Sequence, residues 1–284
     1  MLKSRVEDIN FYSKRTIRVG EKLLDLSSPR IMGIINCTPD SFYSGSRFSS
    51  LSDVLAESEK QMKAGADILD IGGYSSRPGA ENISEEEERQ RVIPVIEAIH
   101  AQFPEALISV DTFRGKVADE ALQAGAHIIN DIGAFDLDPD MLETLRKWRC
   151  PYILMHMRGT PQDMQQKTEY SSLFKEMCYF FSEKLARLHE IGVYDIILDP
   201  GFGFAKTLEQ NYEILEHLED FRFLNQPLLV GVSRKSMISK KSGTDAAHAL
   251  NGTTVLNTVA LLRQASVIRV HDVAEASEIL KLIR

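Results

Sequence analysis

Eight times along this chain a short apolar run, often β-branched, ends in a polar residue and gives way to a longer amphipathic stretch. The runs are Ile31–Asn36, Asp67–Gly72, Leu107–Asp111, Ile128–Asn130, Tyr152–Met155, Ile196–Asp199, Leu228–Gly231 and Val267–Val270. Short apolar runs alternating with helical ones predict βα units and a parallel sheet. Eight units within 284 residues fit an α/β fold of the (β/α)8 TIM-barrel type. A doubly wound sheet fits less well, since it usually has fewer strands and carries a nucleotide fingerprint. No linker or low-complexity segment interrupts the chain. One domain is therefore expected over residues 1–284, with the barrel proper from about residue 31 and a short hairpin-like extension, "INFYSKRTIRVGEKLLDL", before it.

Composition narrows the function. With 43% hydrophobic and 26% charged residues the chain can bury a sizeable core. A net charge of −8 argues against a nucleic-acid partner, so a basic pocket for an anionic substrate must be built locally. Cys37, Cys150 and Cys178 form no CxxC pair, which suits a reducing cytoplasm and argues against disulfides or a zinc site. The start, "MLKSRVEDIN", has no apolar signal core, and no 18-residue apolar run occurs; a cytoplasmic protein without a membrane partner is expected.

Helix punctuation agrees with the βα reading. Gly65 and Gly125, each in an "AGA", are placed to end a helix before the next strand. Ser84 precedes four glutamates, an N-cap followed by the acidic first turn that the helix dipole favours. Pro139 in "DPDM" stands where a first turn tolerates proline.

The strand ends carry the chemistry. Asn36, Asp70, Asp111, Asn130, His156, Asp199, Ser233–Arg234–Lys235 and Arg269/His271 stand at or just past the eight C-termini. Barrel active sites are assembled at that face from several strands. Any one of these residues could merely cap a helix; all eight ends being polar points to a site. "DPGFGFAK", Asp199–Lys206, offers glycines for close approach to a flat ligand and a carboxylate for a guanidine-like edge. "GVSRKSMI" and "RVHD" follow strands seven and eight, where barrels commonly bind phosphate. Two long polar loops, "INCTPDSFYSGSRFSS" and "DIGGYSSRPGA", exceed what a connection needs and are expected to cover the pocket. Cys37 and the methionines Met141, Met155, Met157 and Met164 are expected to pack, with Met155 placed to line the pocket.

Taken in order, "GIINCTPDSF", "DIGGYSSRPGA", "SVDT", "IINDI", "LMHM", "DPGFGF", "GVSRK" and "RVHD" resemble bacterial dihydropteroate synthase, from Ile31 to the C-terminus. The resemblance implies a folate-pathway transferase and sulfonamide target. Such an enzyme joins 6-hydroxymethyl-7,8-dihydropterin diphosphate to 4-aminobenzoate, giving 7,8-dihydropteroate and diphosphate. It implies a pterin site of Asp70, Asp111, Asn130, Met155, Asp199, Phe204 and Lys235, and a diphosphate site of Asn36, Ser76, Arg269 and His271. Aminobenzoate would lie beside Arg77, Pro78, Phe204 and Ser233, and Mg²⁺ would bridge diphosphate and Asn36. The catalytic residues implied are Asp111, Asp199, Lys235, Asn36 and Arg77, in a homodimer acting on small molecules. Two departures stand out. Tyr74 replaces the usual glutamate with Ser76 for threonine, and Ser44 replaces an aspartate, leaving Asp40 to compensate. A pterin-dependent methyltransferase of the same barrel, or a non-catalytic pterin-binding paralogue, shares part of the pattern; SRK with RVHD favours the synthase over the methyltransferase, which needs no diphosphate site.

Overall fold

Each of the eight apolar runs forms a strand in a computed structural model that describes residues 14–37, 50–75 and 82–283. A hairpin comes first, β1 (Thr16–Val19) against β2 (Lys22–Asp25). The barrel strands are β3 (Arg30–Asn36), β4 (Ile68–Gly72), β5 (Leu107–Asp111), β6 (Ile128–Asp131), β7 (Tyr152–Met155), β8 (Ile196–Asp199), β9 (Leu229–Val230) and β10 (Val267–Val270). All pair in parallel in the order β8-β7-β6-β5-β4-β3-β10-β9. The ring closes through one bridge, Leu198 to Leu228, with Leu198 N–H donating to Pro227 O at 2.9 Å. That thin seam is why β9 is shorter than the expected Leu228–Gly231.

Helices α1 (Leu51–Ala64), α2 (Glu85–Gln102), α3 (Gly115–Gln123), α4 (Asp140–Trp148), α5 (Leu173–Glu190) and α6 (Leu208–Glu216) follow successive strands, and α7 (Ser236–Ser242) and α8 (Leu250–Leu262) both precede β10. The last is α9 (Val273–Ile283). The expected caps are present: Ser84 Oγ accepts Glu87 N–H, and Gly65, with φ 109°, returns its N–H to Gln61 O and Met62 O. Pro139 sits at the N-cap of α4, one residue before the helix, rather than inside its first turn.

Alternation along the strands sorts the core into two layers. Outward residues such as Ile31, Ile35, Leu69, Ile71, Ile108 and Val110 pack against Val54 of α1 and Val92, Ile96 and Ile99 of α2. Inward residues Met32, Ile68, Ile128, Ile153, Ile197, Leu229 and Val267 form a second cluster that fills the N-terminal half of the barrel. Ile17, Val19 and Leu26 of the hairpin belong to that cluster, so the N-terminal extension plugs the barrel floor. Among the described residues the plug fills the N-terminal end, so the C-terminal ends of the strands face the opposite mouth. Among the described residues, no helix is long and apolar enough to cross a membrane.

Candidate active site

Two residues beyond the apolar inward layer, most of the same strands turn polar. The inward positions become Ile34, Asp70, Ser109, Asn130, Met155, Asp199, Gly231 and Arg269, and two residues later Asn36, Gly72, Asp111, Ser233 and His271 follow. Since side chains alternate strictly in a strand, hydrophobic fixation of the lower layer aims those upper residues that lie within the strands into the barrel.

Arg269 organises the centre. Its Nε donates to Asp70 Oδ2 and its Nη2 to Asp111 Oδ2, both at 2.6 Å. Asp70 Oδ2 also accepts Asn130 Nδ2–H at 3.0 Å. Asp70 is wholly buried, and its Oδ1 has no partner among the described residues; nor has Ser109 Oγ, its register neighbour on β5. Burial pushes the Asp111 carboxyl up to about 7, with Arg269 opposing and Asp70 reinforcing. Burial works against the Arg269 cation, yet Asp70 and Asp111 outweigh it and hold the guanidinium above its usual value.

Asp199 ends β8, buried, with Oδ1 accepting Gly201 N–H at 2.8 Å. Burial raises its carboxyl and Lys235 opposes the rise. Burial likewise lowers the Lys235 ammonium to about 8 against the pull of Asp199. Lys235 donates to Phe202 O and lies 4.5 Å from the centre of the Phe204 ring. Phe204, Phe113 and Leu137 border an apolar patch of Ile132, Met155, Met157, Met164 and Ala205, so the mouth pairs a charged wall with an apolar one. Met155 holds an inward position in that patch, and Met157 and Met164 pack beside it. Ser233 Oγ meets His271 Nδ1 at 3.0 Å and accepts His271 N–H at 3.2 Å, which joins strands nine and ten at the rim.

Two sequence expectations change. Arg234 does not join the cationic cluster: its Nε and Nη2 both donate to Asp272 at 2.8 Å and its Nη1 to Ala246 O and Ala247 O, a fork that ties loop to loop. His156 occupies an outward position, edge-on to Phe180 at 4.9 Å, so it faces the helices rather than the pocket. Asp131, which extends β6, is also outward and accepts Tyr152 Oη–H at 2.6 Å. Asn36 ends β3 in register with Gly72, and burial pushes the Cys37 thiol to about 12, leaving it a packing residue. Tyr74 uses what a glutamate lacks: its ring packs edge-on against Phe113 at 5.1 Å, and its hydroxyl accepts Gln162 Nε2–H at 2.8 Å. Residues 38–49, with Asp40 and Ser44, and residues 76–81, with Ser76, Arg77 and Pro78, lie outside the described residues.

Sequence reading missed Ser109 and Lys206. Ser109 was legible as the inward position two residues before Asp111. Lys206 closes the "DPGFGFAK" run, yet its side chain is buried and meets the end of β7.

The profile of the pterin binding enzyme family matches residues 32–271. The chain is 45% identical over 262 residues to dihydropteroate synthase of Escherichia coli (strain K12), covering 92% of each chain. A crystal structure of Yersinia pestis dihydropteroate synthase with a sulfonamide drug superposes with a TM-score of 0.90 at 40% identity, over 94% of this chain and 97% of that one. Xanthomonas albilineans dihydropteroate synthase with 4-aminobenzoic acid gives a TM-score of 0.87 at 37% identity, over 94% and 96% of the two chains.

Proposed function

This chain belongs to the dihydropteroate synthases among the pterin binding enzymes, and we propose the following assignment of its residues to the reaction. The substrates are 6-hydroxymethyl-7,8-dihydropterin diphosphate and 4-aminobenzoate, and the transferred group is the pterin-methyl carbon. The observation that carries the assignment is the polar inward layer at the open end of the barrel. There Asp70, Asp111, Asn130 and Asp199 supply acceptors and an amide while Arg269 and Lys235 supply cations.

A pterin presents a planar edge of amide and amino groups, which buried carboxylates and an asparagine read by hydrogen bonding. Asp199, with one oxygen committed to Gly201 N–H, keeps the other for that edge. Phe204 and Met155 supply the apolar surfaces between which a flat ring stacks. Diphosphate sits at the rim, near Asn36 and the Ser233–His271 pair, with Arg269 in reach once the pterin takes over part of its carboxylate contacts.

In the reaction the bond from the pterin methylene carbon to the diphosphate oxygen breaks, and the diphosphate keeps the electron pair. The methylene cation is stabilised by Asp111 and Asp199 and by the Phe204 face. The aminobenzoate nitrogen then supplies its lone pair to form the C–N bond and releases a proton. An arylamine is a modest nucleophile, so generating a strong electrophile first is the economical order.

Magnesium belongs to this reading as a companion of the diphosphate. Among the described residues no group of three or more His, Cys, Asp and Glu side chains is placed to hold a metal. Asn36 offers a neutral oxygen, which fits an ion carried mainly by phosphate oxygens and water. Bound there, the ion would supply positive charge as the diphosphate departs. Arg77, Pro78 and Ser76 complete the aminobenzoate and diphosphate sites by resemblance, and the enzyme is read as a homodimer. The test is diphosphate release by the purified protein that requires 4-aminobenzoate and is inhibited competitively by a sulfonamide. Pterin binding without such release would mark a non-catalytic binding protein.

A further inference from the structure

Lys206 is 3% exposed, and nothing in the reaction just described uses it. Its ammonium meets four acceptors: Phe204 O at 2.9 Å, Gly201 O and His156 Nδ1 at 3.0 Å each, and His156 O at 3.3 Å. Two belong to the end of β7 and two to the loop that leaves β8 at Asp199. The two segments run so close that a Cβ on Gly201, where φ is 69°, would stand 2.1 Å from His156 O. Glycine is therefore required there, and the carbonyls that converge on the gap are met by the Lys206 side chain.

Burial pushes the Lys206 ammonium down to about 7 against the pull of Asp199, and a buried ammonium is costly unless its hydrogens are all met. Here three hydrogens find four acceptors. Burial and the neighbouring Lys206 keep His156 neutral, so its Nδ1 can accept, and the Phe180 edge holds the ring in place. Both groups that the loop offers the pocket adjoin the anchored carbonyls: Asp199 is bonded to Gly201 N–H, and Phe204 lies beneath Lys235.

We propose that Lys206 is a positioning residue for pterin recognition: it ties the end of β7 to the Asp199–Phe204 loop, fixing the direction of the Asp199 carboxylate and the Phe204 ring. This rests on the reading of Asp199 as a pterin acceptor. The lysine touches no substrate and acts through the loop.

The test is calorimetric titration of 6-hydroxymethylpterin into the full-length protein, its Lys206→Met and its Lys206→Gln forms, with thermal melts alongside. The unaltered protein must bind; if it does not, the pterin reading itself fails. Lys206→Met removes every donor, and the folded variant should lose at least about tenfold in pterin affinity, since small displacements of positioning groups are costly. Lys206→Gln keeps an amide that can serve two carbonyls and should fall between. A role confined to stability would lower the melting temperature and leave the affinity of the folded protein alone. Pterin affinity within about twofold of the unaltered protein in Lys206→Met would overturn the proposal, whatever the melting temperature. If Lys206→Met does not fold, Lys206→Gln decides by the same measure.

Discussion

Arg269 and Asp70, 199 residues apart in sequence, meet across β3 with Nε 2.6 Å from Oδ2. The Asp70 side chain has no exposure, and that of Arg269 has 21%. Removing Arg269 leaves the buried Asp70 carboxylate without its cation and with the Asn130 amide as the donor described for it. Arg269→Ala should therefore cost about 3 kcal/mol of stability, read as a lower urea midpoint at unchanged slope. An unaltered midpoint would mean that water already compensates Asp70. The same variant should weaken the diphosphate-bearing substrate much more than free hydroxymethylpterin. Equal losses would assign Arg269 to the ring.

Asp111 gives the site a pH signature. Its carboxyl lies at about 7 in the folded protein, against about 3.9 for an exposed aspartate. Between those values the folded chain holds a proton that the unfolded chain has lost. The contribution of Asp111 to stability is thus full below about pH 4 and disappears as pH rises through about 7. Ligand binding should run the other way, because only the ionised carboxylate accepts through both oxygens. Hydroxymethylpterin affinity should rise as pH passes through about 7, and Asp111→Asn should flatten that rise when both proteins are titrated in the same buffers. A step of equal size in the variant would place the titrating group elsewhere.

Asp199→Asn exchanges an acceptor for a donor at the end of β8. With Gly201 N–H already using one oxygen, the pterin edge would face a mismatched group, at a loss of roughly 1–3 kcal/mol in binding. Calorimetry on the folded variant checks this, and unchanged affinity would remove Asp199 from the pterin site.

The hairpin plug should be structural alone. Ile17 is fully buried against the barrel floor, so Ile17→Ala should destabilise by about 2–5 kcal/mol while leaving the KM for each substrate unchanged at temperatures where the variant is folded. A raised KM without loss of stability would show that the plug reaches the site.

Much of this protein is written in local pattern. The eight apolar runs, the caps at Ser84 and Gly65 and the polar residues closing each strand depend on period and on short-range chemistry, so the sequence alone determined the barrel and the face that carries the site. Even the inward direction of Asp70, Asn130, Asp111 and Asp199 follows from alternation once one residue in each strand is fixed to the core. What only the tertiary structure decided are the partnerships between segments far apart in the chain. Arg234 and Lys235 are neighbours in a basic motif, yet one is spent on Asp272 and the other lies by Asp199 and Phe204. His156 and Lys206, polar in sequence, turn outward or downward to meet each other. Ring closure at Leu198–Leu228 and the Arg269–Asp70 contact join parts of the chain that no local window contains. A charge has no preferred partner until packing removes water from around it. Which pairs form is therefore set by the closed barrel, where burial makes an unmatched charge costly.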